Sequence, residues 1–350
     1  EHGVKFVYDM DVYDLEFTDK NCNTVSVIKI KNKKDIKISK DDFVIINNGS
    51  LMTNARFGDN TTKVETIRDT EDLGQFNIWR NLSKKHEKFG NPHKFLGQID
   101  KTKWMSFFLT IEDYPEFVDR LEEMTGSRRG TSGAITIQDS GWKFSFMAYD
   151  QNYFPDQKEK NRDVLWGDGL YGEKLGNYIK KPMNECTGEE VLKEFLYYCG
   201  LEDKMNEIIS HSIAIPTVMP YISSQFMPRK ISDRPEIIPE SVSNLAFIGQ
   251  FVELEGDVVF TVETSVRTAM TAVYKMYHLD KPIVPLFKGQ YNIRMLTIAL
   301  KTMLGKDKIE VSDLPKINPL KIHEVLNQLV DGINSIPDVP EYYSEREENK

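Results

Sequence analysis

One stretch constrains this chain more than any other: residues 245–270, LAFIGQFVELEGDVVFTVETSVRTAM. An apolar run stops at Gly249, a short acidic loop follows, and a helical pattern opens at Thr261. A buried strand that turns sharply into a helix belongs to α/β sheets, where the turn offers backbone N–H groups to a phosphate or a flavin. Such a turn normally has a glycine-rich counterpart near the start of the chain. The literal match to G-x-G-x-x-G is GDGLYG, residues 167–172, after the strand-like DVLW. That fingerprint requires a helix to begin inside it, and the following EKLGNYIKKP is broken by Gly176 and Pro182. GDGLYG is a false match, and the counterpart is missing from this chain.

Elsewhere the chain alternates between two characters. Residues 3–50 carry short β-branched and aromatic runs (GVKFVYDMDVYDLEF, TVSVIKI, DIKIS, DFVII) and read as strands. The run FVII is apolar enough for a strand buried on both faces. It ends at Asn47-Asn48-Gly49-Ser50, a turn that lets backbone approach a ligand closely. Residues 51–240 mix helices and strands. A helix is expected over DLGQFNIWRNLSKKHEKFG, a strand over WMSFFLTI, and a helix over EFVDRLEEMTG ending at Gly126. A hairpin over GAITIQDSGWKFSFMAY turns at Asp139-Ser140-Gly141, and EEVLKEFLYYCG opens with a Thr187–Glu190 capping box and stops at Gly200. Residues 241–279 return to strand–turn–helix, and 280–350 read as a helical tail whose clearest element is YNIRMLTIALKTML.

Composition removes several function classes. A net charge of -9 lacks the basic face of a general nucleic-acid binder. Cys22, Cys186 and Cys199 are too scattered for a disulfide framework or a zinc site and fit reduced thiols in the cytoplasm. The six histidines show no metal-ligand spacing, and no G-x-S-x-G elbow occurs, so metal hydrolysis and covalent acyl transfer have no support. No apolar run is long enough for a membrane span. The start, EHGVKFVYDM, resembles no signal peptide and reads as the middle of a longer protein.

Three further features carry two readings each. TGSRRGTSG, residues 125–133, is either an anion nest built on Arg128 or Arg129 or a plain surface loop. The helix over 292–304 places Ile293, Leu296, Leu300 and Leu304 beside Arg294 and Lys301. It suits a membrane surface, or a packed or dimer-forming tail. At the opening stretch, Gly249, Gln250 and Phe251 fall at the carboxyl end of a strand. Asp257 is placed to bond a ribityl or ribose hydroxyl, and the helix from Thr261 to aim its N-terminus at a pyrophosphate or flavin. An ordinary βα unit is the alternative.

Four strings together resemble the oleate hydratase family, the FAD-containing fatty acid hydratases also called myosin-cross-reactive antigens. They are WRNLSKKHEKFGNPHKF, IKKPMNECTGEEVLKEFLYYCG, MPYISSQFMPR and FIGQFVELEGDVVFTVETSVRTAM. The resemblance implies an α/β fold: a Rossmann-like FAD-binding domain, incomplete at its N-terminus, with an inserted α+β substrate domain and a C-terminal helical segment. The boundaries implied are 1–50 and 241–279 for the FAD domain, 51–240 for the substrate domain and 280–350 for the tail. It places Val12 near the adenine, with Asn48, Gly49, Ser50, Gly249, Gln250, Phe251, Asp257 and Thr261 around the rest of the cofactor. The missing glycine-rich turn then lies upstream of residue 1, as do the family's catalytic Glu and Tyr, so no catalytic residue is carried over. Without that turn, this chain alone is expected to hold FAD weakly.

The implied reaction adds water across the cis double bond of unsaturated fatty acids, oleate to 10-hydroxystearate. A flavin oxidoreductase of the desaturase or amine-oxidase type and a non-catalytic lipid-binding protein remain the alternatives. Some members bind the substrate carboxylate through a short run after the hairpin strand, here Met147 to Phe154. The family's Thr, Asn and His there are replaced by Met147, Tyr149 and Tyr153, while Gln151 is kept. Tyr149, Gln151 and Tyr153 are the substrate candidates. The resemblance also implies a homodimer and peripheral membrane association through the 292–304 helix.

Overall fold

The computed structural model describes residues 3–65, 72–131, 133–254, 256 and 262–286, with scattered positions between 291 and 305. By its internal contacts the chain divides into Glu1–Ile283 and Val284–Lys350, and every element described below belongs to the first unit. Asp257, Thr261 and most of the expected 292–304 helix lie outside the described residues. Among those residues no helix is long and apolar enough to cross a membrane, and no His, Cys, Asp and Glu cluster suits a metal.

In chain order the strands are β1 (Val12–Phe17), β2 (Val25–Ile30), β3 (Ile36–Lys37), β4 (Val44–Asn47), β5 (Arg56–Phe57) and β6 (Trp104–Glu112). They continue with β7 (Ile135–Thr136), β8 (Phe144–Ala148), β9 (Arg162–Gly169), β10 (Ser212–Met219) and β11 (Leu245–Ile248). The helices are α1 (Asn77–Ser83), α2 (His93–Leu96), α3 (Ile99–Thr102), α4 (Pro115–Thr125), α5 (Gly188–Tyr198), α6 (Met205–Ser210) and α7 (Val262–Met276). Among the described residues three sheets result: an antiparallel β1-β2-β3, an antiparallel six-stranded β5-β10-β6-β9-β8-β7, and a parallel β11-β4 pair. The protein is a mixed α/β fold.

The six-stranded sheet buries one face. Phe107, Leu109, Phe144, Phe146 and Leu165 pack with Phe117, Val118 and Leu121 of α4 and Val191, Leu192 and Phe195 of α5 in one core. Phe195 sits at its centre, with Phe107, Phe117, Phe144 and Phe146 at ring-centroid distances of 4.9–6.0 Å. Each fully buried ring contributes roughly 2–3 kcal/mol. Gly167 is glycine because a Cβ would stand 2.2 Å from the Phe107 ring.

Helix α5 opens with the expected capping box: the Glu190 amide donates to Thr187 Oγ1, and the Thr187 amide to Glu190 Oε2. Its Glu194, fully buried, accepts the amides of Asn177, Tyr178 and Ile179 and the Tyr198 hydroxyl. Those bonds pin the segment after GDGLYG as a loop. No helix follows the motif, and its first two glycines lie inside β9.

Three sequence expectations are corrected here. Residues 3–10 form no strand, because β2 is only six residues long and offers no edge upstream of Val12. The helix expected over residues 72–90 breaks into α1 and two 3-10 turns. Trp79 Nε1 donates to the Phe89 carbonyl at 2.6 Å and folds the end of the segment back. The twice-buried strand is β11, not β4: Leu245, Ala246 and Phe247 are all buried, whereas Ile45 is 44% exposed. Among the described strands β4 and β11 each have a neighbour on one edge only, and what separates them is that α7 packs against β11.

Candidate functional site

Two segments some 200 residues apart in sequence meet where the parallel pair ends. Asn47 pairs with Ile248, and both strands then turn in the left-handed region, Gly49 at φ 80° and Gly249 at φ 95°. Neither position has room for a side chain. A Cβ at Gly49 would lie 1.9 Å from Phe76 Cε1, and one at Gly249 2.4 Å from Asn47 Oδ1. Both glycines are buried, so each strand end makes a tight turn against its neighbours that glycine alone accommodates.

Asn48 holds the two turns together. It is fully buried; its amide donates to the Ile248 carbonyl and its Nδ2 to the Phe251 carbonyl, both at 2.8 Å. Its Oδ1 is buried and receives no hydrogen bond among the described residues. The Gly249 amide donates to Thr268 Oγ1 of α7 at 3.0 Å. Thr268 carries no sequence signal for this role beyond its place in an amphipathic helix. Phe251 is buried against Phe76, Trp79 and Phe95. Ser50 accepts the Met52 amide, and Gln250 is half-buried beside Gly249. Val12 lines an adjoining cleft of about 700 Å³ with Ile46, Asn47, Gly74 and Asn77. Six of the nine cofactor candidates therefore gather at one end of the parallel pair, Val12 lines the cleft along β4, and Asp257 and Thr261 fall outside the described residues.

The substrate candidates separate. Tyr149 and Tyr153 form an aromatic group with Phe154, ring centroids 4.9–5.3 Å apart. Burial raises the Tyr149 pKa above its ordinary 10, so its hydroxyl is a neutral donor at physiological pH. Gln151 is drawn away: its Nε2 donates to Asp163 Oδ1 at 3.3 Å. Asp163 belongs to an ion-pair network in which Arg129 also engages Asp119 and Glu122, at 2.7–2.8 Å each. Arg129 is thereby spoken for, and TGSRRGTSG is anchored from within. Backbone and side-chain bonds from Arg129 hold Glu122 below the usual carboxylate range.

On the sheet face opposite Phe195, sequence reasoning missed a row of polar groups. Asp168 stands directly between Ser106 of β6 and Ser145 of β8, and Thr217 lies opposite Ser106 on β10. Residues directly opposite in antiparallel strands share a face. Ser106 and Ser145 are satisfied by the Gly167 carbonyl and Thr136. Asp168 is 3% exposed, receives no hydrogen bond among the described residues, and is pushed by burial to a pKa of about 6. Half-buried Phe108, Trp166 and Met147 lie on the same face.

An α/β protein with a close-approach turn at the ends of a parallel pair, beside a large antiparallel sheet, defines the class. The chain belongs to the MCRA family, whose model matches residues 1–274. It is 35% identical over 328 residues to an oleate hydratase of Streptococcus pyogenes serotype M49 (strain NZ131), covering 90% of this chain and 55% of that protein. It is 29% identical over 299 residues to a linoleate hydratase of Lactiplantibacillus plantarum, covering 78% of this chain and 52% of that protein. The chain thus spans about half the length of the curated relatives it matches.

Proposed function

We propose that this chain is the later part of an FAD-dependent fatty acid hydratase that adds water across the cis double bond of oleate. The observation that carries the reading is the end of the β4–β11 pair. Two glycines there leave no room for a Cβ, and the buried Asn48 Oδ1 lacks a donor among the described residues. Such an orphaned acceptor, beside two turns that only glycine accommodates, suits the hydroxyl-rich, hydrogen-bonding edge of FAD. Val12, Asn48, Gly49, Ser50, Gly249, Gln250 and Phe251 would hold the cofactor in a Rossmann-like domain formed by 1–50 and 241–279, with Asp257 and Thr261 completing it. Hydration moves no electrons overall, so FAD when bound would supply shape and electrostatics.

Residues 51–240 form the substrate domain in this reading. The open sheet face, with Phe108, Trp166 and Met147, offers apolar surface to an acyl chain. Tyr149 and Tyr153 present phenol donors for its carboxylate, with Gln151 committed elsewhere. Protonating an unactivated alkene demands an acid, a base and a dry channel, and this chain is assigned neither the acid nor the base. We place the protein in the cytoplasm as a homodimer, touching membranes through the 292–304 helix.

The test is to load the full-length polypeptide carrying this sequence with FAD and give it oleate. A product heavier than oleate by one water is expected. A conjugated or dehydrogenated product, with bleached flavin or demand for an electron acceptor, would establish a flavin oxidoreductase instead. Oleate binding without turnover would leave a lipid-binding protein.

A further inference from the structure

Helix α7 packs against β11, and its buried positions are Thr264, Thr268, Ala272 and Met276, four apart. That spacing keeps them on one face of the helix. Two of the four carry a hydroxyl into the contact, where a polar atom without a partner is costly. Thr268 is fully buried. Its Oγ1 donates to the Ser265 carbonyl at 2.9 Å and accepts the Gly249 amide at 3.0 Å. The first bond is the ordinary local one of a helical threonine. The second leaves the helix and reaches the residue directly after β11.

The turn that Gly249 begins is held at three points. Its own amide goes to Thr268, the Ile248 carbonyl before it takes the Asn48 amide, and the Phe251 carbonyl takes Asn48 Nδ2. Asn48 supplies two of those bonds and belongs to the candidate cofactor site. Thr268 supplies the third from the helix. With its amide given to Thr268, Gly249 has no N–H left for a ligand. Thr268 therefore acts on a cofactor only through the placement of the turn.

We propose that Thr268 is a positioning residue of the cofactor site, holding the Gly249–Phe251 turn at the setting that FAD requires. The inference rests on the FAD reading given above. Without the hydroxyl, the buried Gly249 amide has no acceptor. It regains one only if the peptide rotates, and the turn rotates with it. Glycine permits that rotation, because it has no side chain to restrict φ. The Asn48 bridges to Ile248 and Phe251 then shift, and with them Oδ1, the acceptor assigned to the cofactor. Valine at this position fills the space of threonine and differs in the hydroxyl. The two residues therefore separate placement of the turn from packing of the helix.

The experiment is fluorescence titration with FAD of the full-length polypeptide carrying this sequence, beside thermal unfolding without ligand, for Thr268→Val and Thr268→Ser. Thr268→Val should weaken FAD binding about tenfold or more, the scale of one buried hydrogen bond left unmade. It should also alter the visible absorption spectrum of the bound flavin. Thr268→Ser keeps the hydroxyl and should bind FAD nearly as the wild type does, with the wild-type spectrum. Loss of the buried methyl should still lower its unfolding temperature. Affinity and stability thus part company in the serine variant, which a purely structural threonine would not allow. FAD binding unchanged in Thr268→Val, or no rescue by Thr268→Ser, would overturn the proposal and leave the FAD reading intact. A wild-type protein that binds no FAD would overturn both. If Thr268→Val does not fold, Thr268→Ala takes its place, with the same loss expected against the same serine control.

Discussion

Replacing Asp168 by Asn should shift stability in favour of the variant by an amount that grows between pH 4 and neutral pH. The carboxyl is buried between β6 and β8, receives no hydrogen bond among the described residues, and has its pKa raised from 3.8 to about 6 by desolvation alone. A raised carboxyl pKa means that the native state keeps the proton after the unfolded chain has released it. Stability attached to this group is therefore present below pH 4 and lost as pH rises through 6. At 1.36 kcal/mol per pKa unit, the gap of roughly two units corresponds to about 3 kcal/mol at most. Asn carries no charge and shows no such loss. Urea denaturation of both proteins from pH 3.5 to 8 would read the difference in unfolding free energy. Taking the pH dependence of that difference removes the fixed cost of the amide and the titration of other groups. It should be flat below pH 4, rise through pH 5 and 6, and level off above 7 about 2–3 kcal/mol higher. A difference that is constant with pH, or that falls as pH rises, would refute the reasoning.

Other perturbations follow from single features. Gly249→Ala should cost 2 kcal/mol or roughly more in thermal unfolding, because φ is 95° and the new Cβ meets Asn47 Oδ1. Arg129→Ala should cost about 3 kcal/mol by denaturant titration, since it strands the nearly buried Asp163. Arg129→Lys should not restore it, because one ammonium cannot serve three carboxylates at the Arg129 geometry. Thr187→Ala should cost about 1 kcal/mol through loss of the capping box. Burial pushes the Cys186 and Cys199 thiols up to about 12, so neither should react with iodoacetamide at pH 8 until the protein is unfolded.

Much of the local structure was legible in the residues, and most of the long-range structure was not. Gly126, which is in the left-handed region, closes α4 where glycine was expected to end the helix; Thr187 caps α5 through its own neighbour. Such signals act within a few residues. Residues 3–10 have the composition of a strand, but a strand needs a partner edge, which composition does not encode. Asp168 sits between glycines that suggest a loop, and only the β6–β9–β8 register puts it inside a sheet. Arg234 and Gln225 look like surface residues until tertiary packing buries them. At the candidate site the residues Asn48, Gly49 and Gly249 were readable one by one, whereas the Asn48 bridge to Phe251 depends on a pairing no local pattern specifies.

That pairing also fixes an order of events in folding. Val44 must wait for Leu245 to be synthesised before the parallel pair can close, and Asn244 fastens Val25 from the same distance. Contacts of such long range form slowly, because loop closure must be completed before they stabilise anything. The six-stranded sheet needs nothing beyond Met219 and is complete in the nascent chain first. Until β11 emerges, β4 waits as an unpaired edge with Ile45 outward, a state that invites association with other chains. The turns at Gly49 and Gly249 are thus completed only after the large sheet, together with α7, whose Thr268 takes the Gly249 amide.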